Sequence, residues 1–164
     1  MREIRTLASW AIALFLAVML VLAAADILAP RPPAENHLFE VFRDASGIAY
    51  FEPTGRFAAG VLAVLVAVLM LLPATRRIGA VFGFLLTVGI VALVAQLVVQ
   101  QIPIPVDTVV KGGDGADVVQ TTSTDGSQLL YLAIGLAVAS LFLIFVHPGS
   151  DKGPGGTGPG YYGR

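Results

Sequence analysis

The chain has 164 residues, of which 56% are apolar and only 13% are charged, a balance that no ordinary soluble domain needs. It contains no cysteine, which excludes disulfide frameworks, thiolate catalysis, iron–sulfur clusters and thiolate zinc sites. The net charge of -1 comes without a basic stripe, so nucleic acid is not an expected partner.

Four long apolar blocks predict four transmembrane helices. Each block approaches the ~20 residues that a helix needs to cross ~30 Å of hydrocarbon. The predicted spans are about 7–28, 57–73, 78–101 and 128–147. The remaining segments are an outer loop at 29–56, a second outer loop at 102–127 and a Gly/Pro-rich tail at 148–164. The predicted fold is an all-α membrane protein, with a four-transmembrane-helix bundle over residues 1–147.

The positive charges predict that both ends of the chain are cytoplasmic. In that orientation six of the ten Lys and Arg residues lie inside. They include the Arg76-Arg77 pair in a short turn, where the positive-inside rule acts most strongly. The inner residues are Arg2, Arg5, Arg76, Arg77, Lys152 and Arg164, and the outer ones are Arg31, Arg43, Arg56 and Lys111.

The first apolar block also fits a secretory signal peptide. Residues 1–5 form a positive segment, and the alanines at 23–25 match the small-x-small pattern of a cleavage site. Cleavage would leave three spans. The apolar run is longer than the usual core of a signal peptide, so we expect the block to be retained as the first span.

An amphipathic segment follows in the first outer loop. Apolar side chains within 38–42 interleave with charged ones, a pattern typical of a short helix at the membrane interface. His37 and Glu40 are spaced for one face of this helix and could share a metal ion. Nothing nearby in the sequence completes such a site, so we predict no metal there.

The second outer loop predicts a periplasmic β-hairpin. Residues 106–110 and 117–122 are rich in β-branched side chains and flank a Gly-rich turn. A lone strand pair is only marginally stable in water, so we expect it to lean on the membrane domain or on a neighbouring subunit. Lys111, Asp114 and Asp117 are its candidate partner-binding residues.

The cytoplasmic tail at 148–164 cannot bury enough apolar surface to fold alone. Its Tyr161-Tyr162 pair is the candidate anchor for a partner. His147, just before the tail, could in principle ligate haem, but its place at the inner edge favours a polar residue at the interface.

Polar side chains near the outer ends of the first and third spans provide a weak candidate for a quinone site. Asp26, Gln96 and Gln100 could line a shared outer vestibule that holds a quinone or a lipid, and interface anchoring is the competing interpretation. No catalytic residue is predicted. The middles of the spans carry no acid, histidine, lysine or arginine, which disfavours a pump, a transporter or another small-molecule carrier.

Three stretches resemble the DoxX-like family of small four-helix membrane proteins. Residues 53–56, Pro-Thr-Gly-Arg, are similar to the family's start of the second helix. Residues 71–75 and the Gly79-Ala80 pair are similar to its Leu-Leu-x-Pro-x-Thr segment and the Gly-Ala opening of the next helix. Asp125-Gly126 is similar to its start of the last helix, so the likeness covers roughly 7–147.

The resemblance implies a membrane redox assembly, either as a subunit of a quinone-reducing sulfur oxidoreductase or as a partner of redox-defence enzymes. Two positions depart from the family pattern. Ala63 stands where relatives often carry glutamate, and Gln96-Leu97 stands where they often carry a histidine-leucine pair. The hairpin and the tail are additions.

We therefore expect a non-catalytic accessory subunit of a multi-subunit inner-membrane complex, respiratory or otherwise energy-transducing. The alternative is a quinone-interacting oxidoreductase subunit of the DoxX type. A small-molecule carrier is the third hypothesis.

Overall fold

The computed structural model describes residues 2–28, 37–111 and 117–146. Within these ranges the chain forms five α-helices and one antiparallel strand pair. The elements are α1 (Arg2–Leu28), α2 (Leu38–Ser46), α3 (Thr54–Leu71), α4 (Arg76–Val99), β1 (Ile104–Lys111), β2 (Asp117–Thr124) and α5 (Ser127–Val146). A 3-10 turn at Ala49–Phe51 connects α2 to α3.

Four of the helices, α1, α3, α4 and α5, are long and apolar enough to span a membrane. This confirms the predicted all-α membrane fold with four spans. Only 22–28% of each span is buried within the chain, and the exposed remainder carries many large apolar side chains. Such a surface needs lipid around it, so the protein is a multi-pass membrane protein.

The spanning helices form a closed ring in the order α1, α3, α4, α5, because α1 and α4 each pack against both α3 and α5. Leu28 at the end of α1 contacts Gly60 in the first half of α3. Gly83 in the first half of α4 lies near Ser140 in the second half of α5. Neighbouring helices therefore run antiparallel, as in an up-down-up-down bundle. We call its two ends the hairpin end and the Arg76 end.

Small residues allow the helices to approach closely. A side chain at Gly79 would place its Cβ 2.7 Å from the backbone N of Met70, so α4 leaves the α3–α4 turn in direct contact with the end of α3. Alanines fill much of the interior around this contact. They are Ala13, Ala17, Ala24, Ala63, Ala67 and Ala80. Close backbone approach of this kind replaces the hydrophobic drive that lipid removes.

A small aromatic cluster covers the bundle at the hairpin end. Phe39 and Phe42 of α2 are buried beside Val94 and Leu97 of α4. The ring of Phe42 lies 6.1 Å from that of Phe39 and 6.0 Å from that of Phe51, between centroids. The amphipathic helix is thus present as predicted, and its buried aromatic side chains pack on the protein's own bundle.

The hairpin pairs from Ile104 opposite Thr124 to Lys111 opposite Asp117. β1 begins two residues before and ends one residue after the predicted 106–110, and β2 begins at 117 as predicted and ends two residues after 122. Ile104 is buried against the aromatic cluster and extends the pairing to the bundle surface. Most of the remaining side chains are exposed. The periplasmic location of the hairpin stays a prediction.

The predicted spans and the observed helices differ most at the N-terminus, where α1 begins at Arg2 and the predicted span begins at residue 7. Hydropathy marks the apolar part of a helix and misses a charged first turn that extends towards the headgroups. At the same end of the bundle, α3 stops at Leu71 because Pro73 follows.

Candidate functional site

The polar side chains at the hairpin end converge on His37, immediately before α2. Its Nδ1 lies 3.0 Å from Oε2 of Glu40, on the first turn of α2. Its Nε2 lies 3.1 Å from Oδ2 of Asp107, on β1. One imidazole ring therefore connects the covering helix to the base of the hairpin.

The second oxygen of Asp107 extends this network into β2. Thr121 lies directly opposite Asp107 in the strand register, and its hydroxyl donates to Asp107 Oδ1 over 2.5 Å. The Asp107 side chain is only 7% exposed, and the His37 side chain is 23% exposed. A carboxylate with so little access to water needs hydrogen-bond donors, and His37 and Thr121 are two of them.

The hydrogen bonds to Glu40 and then to Asp107 raise the pKa of His37 above its usual value, and the two negative charges add to the effect. Desolvation opposes the rise and is the smaller influence. The geometry and the electrostatics thus both favour an imidazolium that donates from each ring nitrogen.

Other charges at this end pair locally. Arg43 Nε donates to Asp44 over 2.8 Å, and this hydrogen bond, followed by the charge of Asp44, raises the pKa of Arg43. Arg56 Nε lies 3.1 Å from Glu52 Oε1 at the start of α3. Neither pair reaches the hairpin. Among the described residues, the charged contact between the α2 segment and the hairpin is the one between His37 and Asp107.

Both ring nitrogens of His37 face carboxylate oxygens, on opposite sides of the ring, and the expectation of no metal at His37 and Glu40 stays a prediction. Within 2–28, 37–111 and 117–146, no three His, Asp or Glu side chains are grouped so that they could hold a metal ion. The sequence pointed to the His37–Glu40 pair but missed Asp107, which is distant in sequence.

The partner-binding candidates fall in different places. Lys111 is exposed at the end of β1, and Asp117 stands opposite it in the register at the start of β2. Asp114, Tyr161, Tyr162 and His147 lie outside the described residues. Valines are exposed on both faces of the hairpin, at Val106, Val109, Val110 and Val118.

The quinone-site candidates lie on α1 and α4, two helices that stand across the ring from each other. Asp26 is exposed on α1, and Gln96 is exposed on α4, the helix across the ring. Gln100 is exposed just beyond the end of α4. Their side chains make no hydrogen bond to another described residue. A role for them in binding quinone stays a prediction.

A buried arginine at the opposite end was not foreseen as a site residue. Arg76 is 2% exposed, and its Nε donates to the carbonyl of Met70 over 2.9 Å. Its Nη1 lies 3.4 Å from the hydroxyl of Ser9, and its guanidinium lies over the ring of Trp10. No described carboxylate pairs with it, and Nη2 has no hydrogen-bond partner among the described residues. The positive-inside rule treats a basic residue in a short turn as a charge at the membrane surface, so it gave no reason to expect Arg76 to be buried.

An open apolar groove of about 450 Å³ runs between α1 and α5. Ala11, Ile12 and Phe15 form one wall, and Gly135, Val138, Ala139 and Phe142 form the other. The groove contains none of the polar candidates. On the exterior of a spanning bundle, a groove of this composition is a surface for lipid chains or a neighbouring helix.

These features define a class of protein: a small four-helix membrane protein whose hairpin end is closed by a short helix and extended by a β-hairpin. Comparison with models of known protein families, with curated proteins and with solved structures finds no match. The resemblance to the DoxX-like family therefore stays an expectation from the motifs quoted above.

Proposed function

We propose that this protein is a non-catalytic accessory subunit of a multi-subunit complex in a bacterial inner membrane. In this proposal both chain ends are cytoplasmic and the hairpin is periplasmic, where it contacts a neighbouring subunit. The complex is respiratory or another energy-transducing redox assembly, as the DoxX-like motifs imply.

The observation that carries the proposal is the way the hairpin is attached. Its base is fixed to the bundle by buried Ile104 and by the His37–Asp107 contact. Beyond that base, most side chains of both strands are exposed, and apolar ones occur on both faces. A strand pair held out from a membrane domain in this way offers main-chain edges and valines to another protein.

The helices of the bundle support the same proposal. Ala63, at the position where relatives often carry glutamate, is buried among apolar neighbours in the interior. Gln96, where they often carry histidine, is exposed on α4. In this proposal the membrane domain serves to hold the hairpin and to pack against other subunits.

The test is purification of the full chain in mild detergent from its native membranes, through a tag at the C-terminus. Val110 and Val118 stand opposite each other in the register and are both exposed, so Val110→Asp with Val118→Asp disrupts the hairpin face without touching the bundle. Ser123→Asp adds a charge at an exposed position of the same strand and is the matched control.

We expect the wild type and Ser123→Asp to bring the same membrane subunits in a fixed ratio, and the double valine variant to lose them. A solitary protein from all three preparations would overturn the proposal. Quinone turnover that depended on Gln96 in such a preparation would instead favour the oxidoreductase hypothesis.

A further inference from the structure

The bridge at His37 has a chemical requirement that the remaining contacts of the hairpin do not share. A neutral imidazole has one N–H and one lone pair, whereas a carboxylate can only accept. Glu40 lies 3.0 Å from Nδ1, and Asp107 lies 3.1 Å from Nε2. With both carboxylates ionised, the two contacts are both hydrogen bonds only when the ring is doubly protonated.

Loss of that proton affects the two sides of the bridge differently. One ring nitrogen would keep its hydrogen bond, and the other would turn a lone pair towards a carboxylate at hydrogen-bond distance. Glu40 is 45% exposed in its side chain and can turn to water, but Asp107 is 7% exposed and cannot. The single N–H of the neutral ring therefore stays on Nε2, facing Asp107, and the contact to Glu40 opens. The bond to Asp107 changes from a charge-assisted hydrogen bond to a weaker neutral one.

The described contacts of His37 come from α2 and β1, and β2 lies behind β1. Glu40 comes from α2, and Asp107 comes from β1. Thr121 of β2 donates to the far oxygen of Asp107 and carries no charge. Arg43, farther along α2, is engaged by Asp44. The histidine is the group among these that titrates near neutral pH.

We propose that His37, Glu40 and Asp107 form a pH-sensitive latch that holds the hairpin firmly against α2 while His37 is protonated and loosens it when the proton leaves. The latch holds a part of the same chain, the hairpin, so it requires no external ligand. The direction follows from linkage. The pKa of His37 is raised in the folded protein, so the stabilisation is complete below its ordinary value of 6.5 and is lost as the pH rises through the folded value.

The biological consequence rests on the proposed function, since loosening the hairpin matters most if the hairpin contacts a partner. The latch itself is a property of the isolated chain. A measurement on the purified protein alone therefore tests the latch, whereas the purification described above tests the partner, and either can fail without the other.

The absence of cysteine from the sequence allows site-specific spin labels at two engineered cysteines. Ala45→Cys on α2 and Val109→Cys on β1 place labels at exposed positions on the two sides of the latch. With the full chain in lipid nanodiscs, we expect a narrow distance distribution at pH 5.5 that broadens by pH 8.5. Asp107→Asn should abolish this pH step, and Asp44→Asn, the matched control on an exposed acid of α2, should keep it.

An unchanged distribution across this pH range, or a pH step that persists in Asp107→Asn, would overturn the latch. A second measurement covers a variant that fails to fold. The chain has only two histidines, so nitrogen NMR of labelled histidine in a His147→Gln background titrates His37 directly. We expect a midpoint above 6.5, and a midpoint at or below that value would equally overturn the proposal.

Discussion

The guanidinium of Arg76 lies 3.8 Å from the centroid of the Trp10 ring, which joins the start of α4 to the first turns of α1. Trp10 is the single tryptophan of the chain, so the tryptophan emission comes from the residue that makes this contact. A cation over an indole face is worth about 0.5–2 kcal/mol. The contact also partly compensates a buried charge that no described carboxylate neutralises.

Replacing Arg76 should be visible both in fluorescence and in stability. Arg76→Gln removes the stacked cation and shortens the side chain, so the carbonyl of Met70 loses its donor. We expect an altered emission of Trp10 and a destabilisation of about 1–3 kcal/mol, the cost of an unsatisfied buried polar group. Arg77→Gln, an exposed neighbour, is the control. Equal effects of both changes would show that the stack contributes nothing specific.

Close approach of α4 to α3 predicts a sharp difference between two glycines of one helix. A Cβ at Gly79 would lie 2.7–2.9 Å from atoms of Met70 and Leu69, two of them backbone, whereas a Cβ at Gly89 meets nothing within 4 Å. Gly79→Ala should therefore destabilise the bundle by about 1–3 kcal/mol, as overpacking does. Gly89→Ala should be neutral or slightly stabilising. Thermal unfolding in detergent micelles measures both, and a neutral Gly79→Ala would argue against the close packing.

Phe42 should hold the covering helix in place. It is 4% exposed and lies between the rings of Phe39 and Phe51. Phe42→Ala should cost about 3–5 kcal/mol, typical for truncation of a buried phenylalanine. Because the loss is local to the hairpin end, hydrogen exchange should accelerate in α2 and at the base of β1 before the spanning helices are affected. Tyr50→Ala, at an exposed aromatic residue, should leave exchange unchanged.

Asp125 should make the stability of the start of α5 depend on pH in the acid range. Its Oδ1 accepts from the backbone N–H of Ser127 over 3.0 Å and from the Ser127 hydroxyl over 2.8 Å. These bonds, the backbone one first, lower the pKa of Asp125 below 3.8. Its contribution is present above that value and is lost as the pH falls through the folded pKa.

Two substitutions separate the charge of Asp125 from its hydrogen bonds. Asp125→Asn keeps an acceptor oxygen and should remove this acid step while largely preserving the melting temperature at pH 7. Asp125→Ala removes both and should lower the melting temperature at every pH. Melting curves between pH 3 and pH 7 compare the three proteins. An acid step that survives in Asp125→Asn would assign it to another group.

Much of the architecture could be predicted, because a span of about 20 apolar residues is a strong signal in any sequence. The amphipathic helix and the β-branched hairpin also followed from local patterns. The His37–Asp107 contact could not be predicted, since the two residues are 70 positions apart in the sequence. They come together because the base of the hairpin packs against the aromatic cluster. Burial of Arg76 was equally hidden, because a basic residue in a short turn is expected at the surface.

The position of a residue along a membrane span leaves open whether Asp26 and Gln96 face a common site. Asp26 and Gln96 were grouped because both were expected near the outer ends of their spans. Depth does not specify the direction in which a side chain projects from its helix, and the two helices stand across the ring. Family motifs suggested a redox setting, but the motifs are short and lie mostly at helix ends, where local geometry alone favours proline and glycine.

The most direct test of the account is site-specific photo-crosslinking in native membranes, with a photoreactive phenylalanine in place of Val110 on the hairpin. The same group in place of Leu22, an exposed residue of α1, serves as the reference for lipid-facing positions. The account predicts one dominant protein adduct from Val110, of the same mass in repeated preparations and weakened by Val118→Asp. Adducts with lipid only, or the same scattered proteins from both positions, would contradict the assignment of the hairpin as a subunit contact.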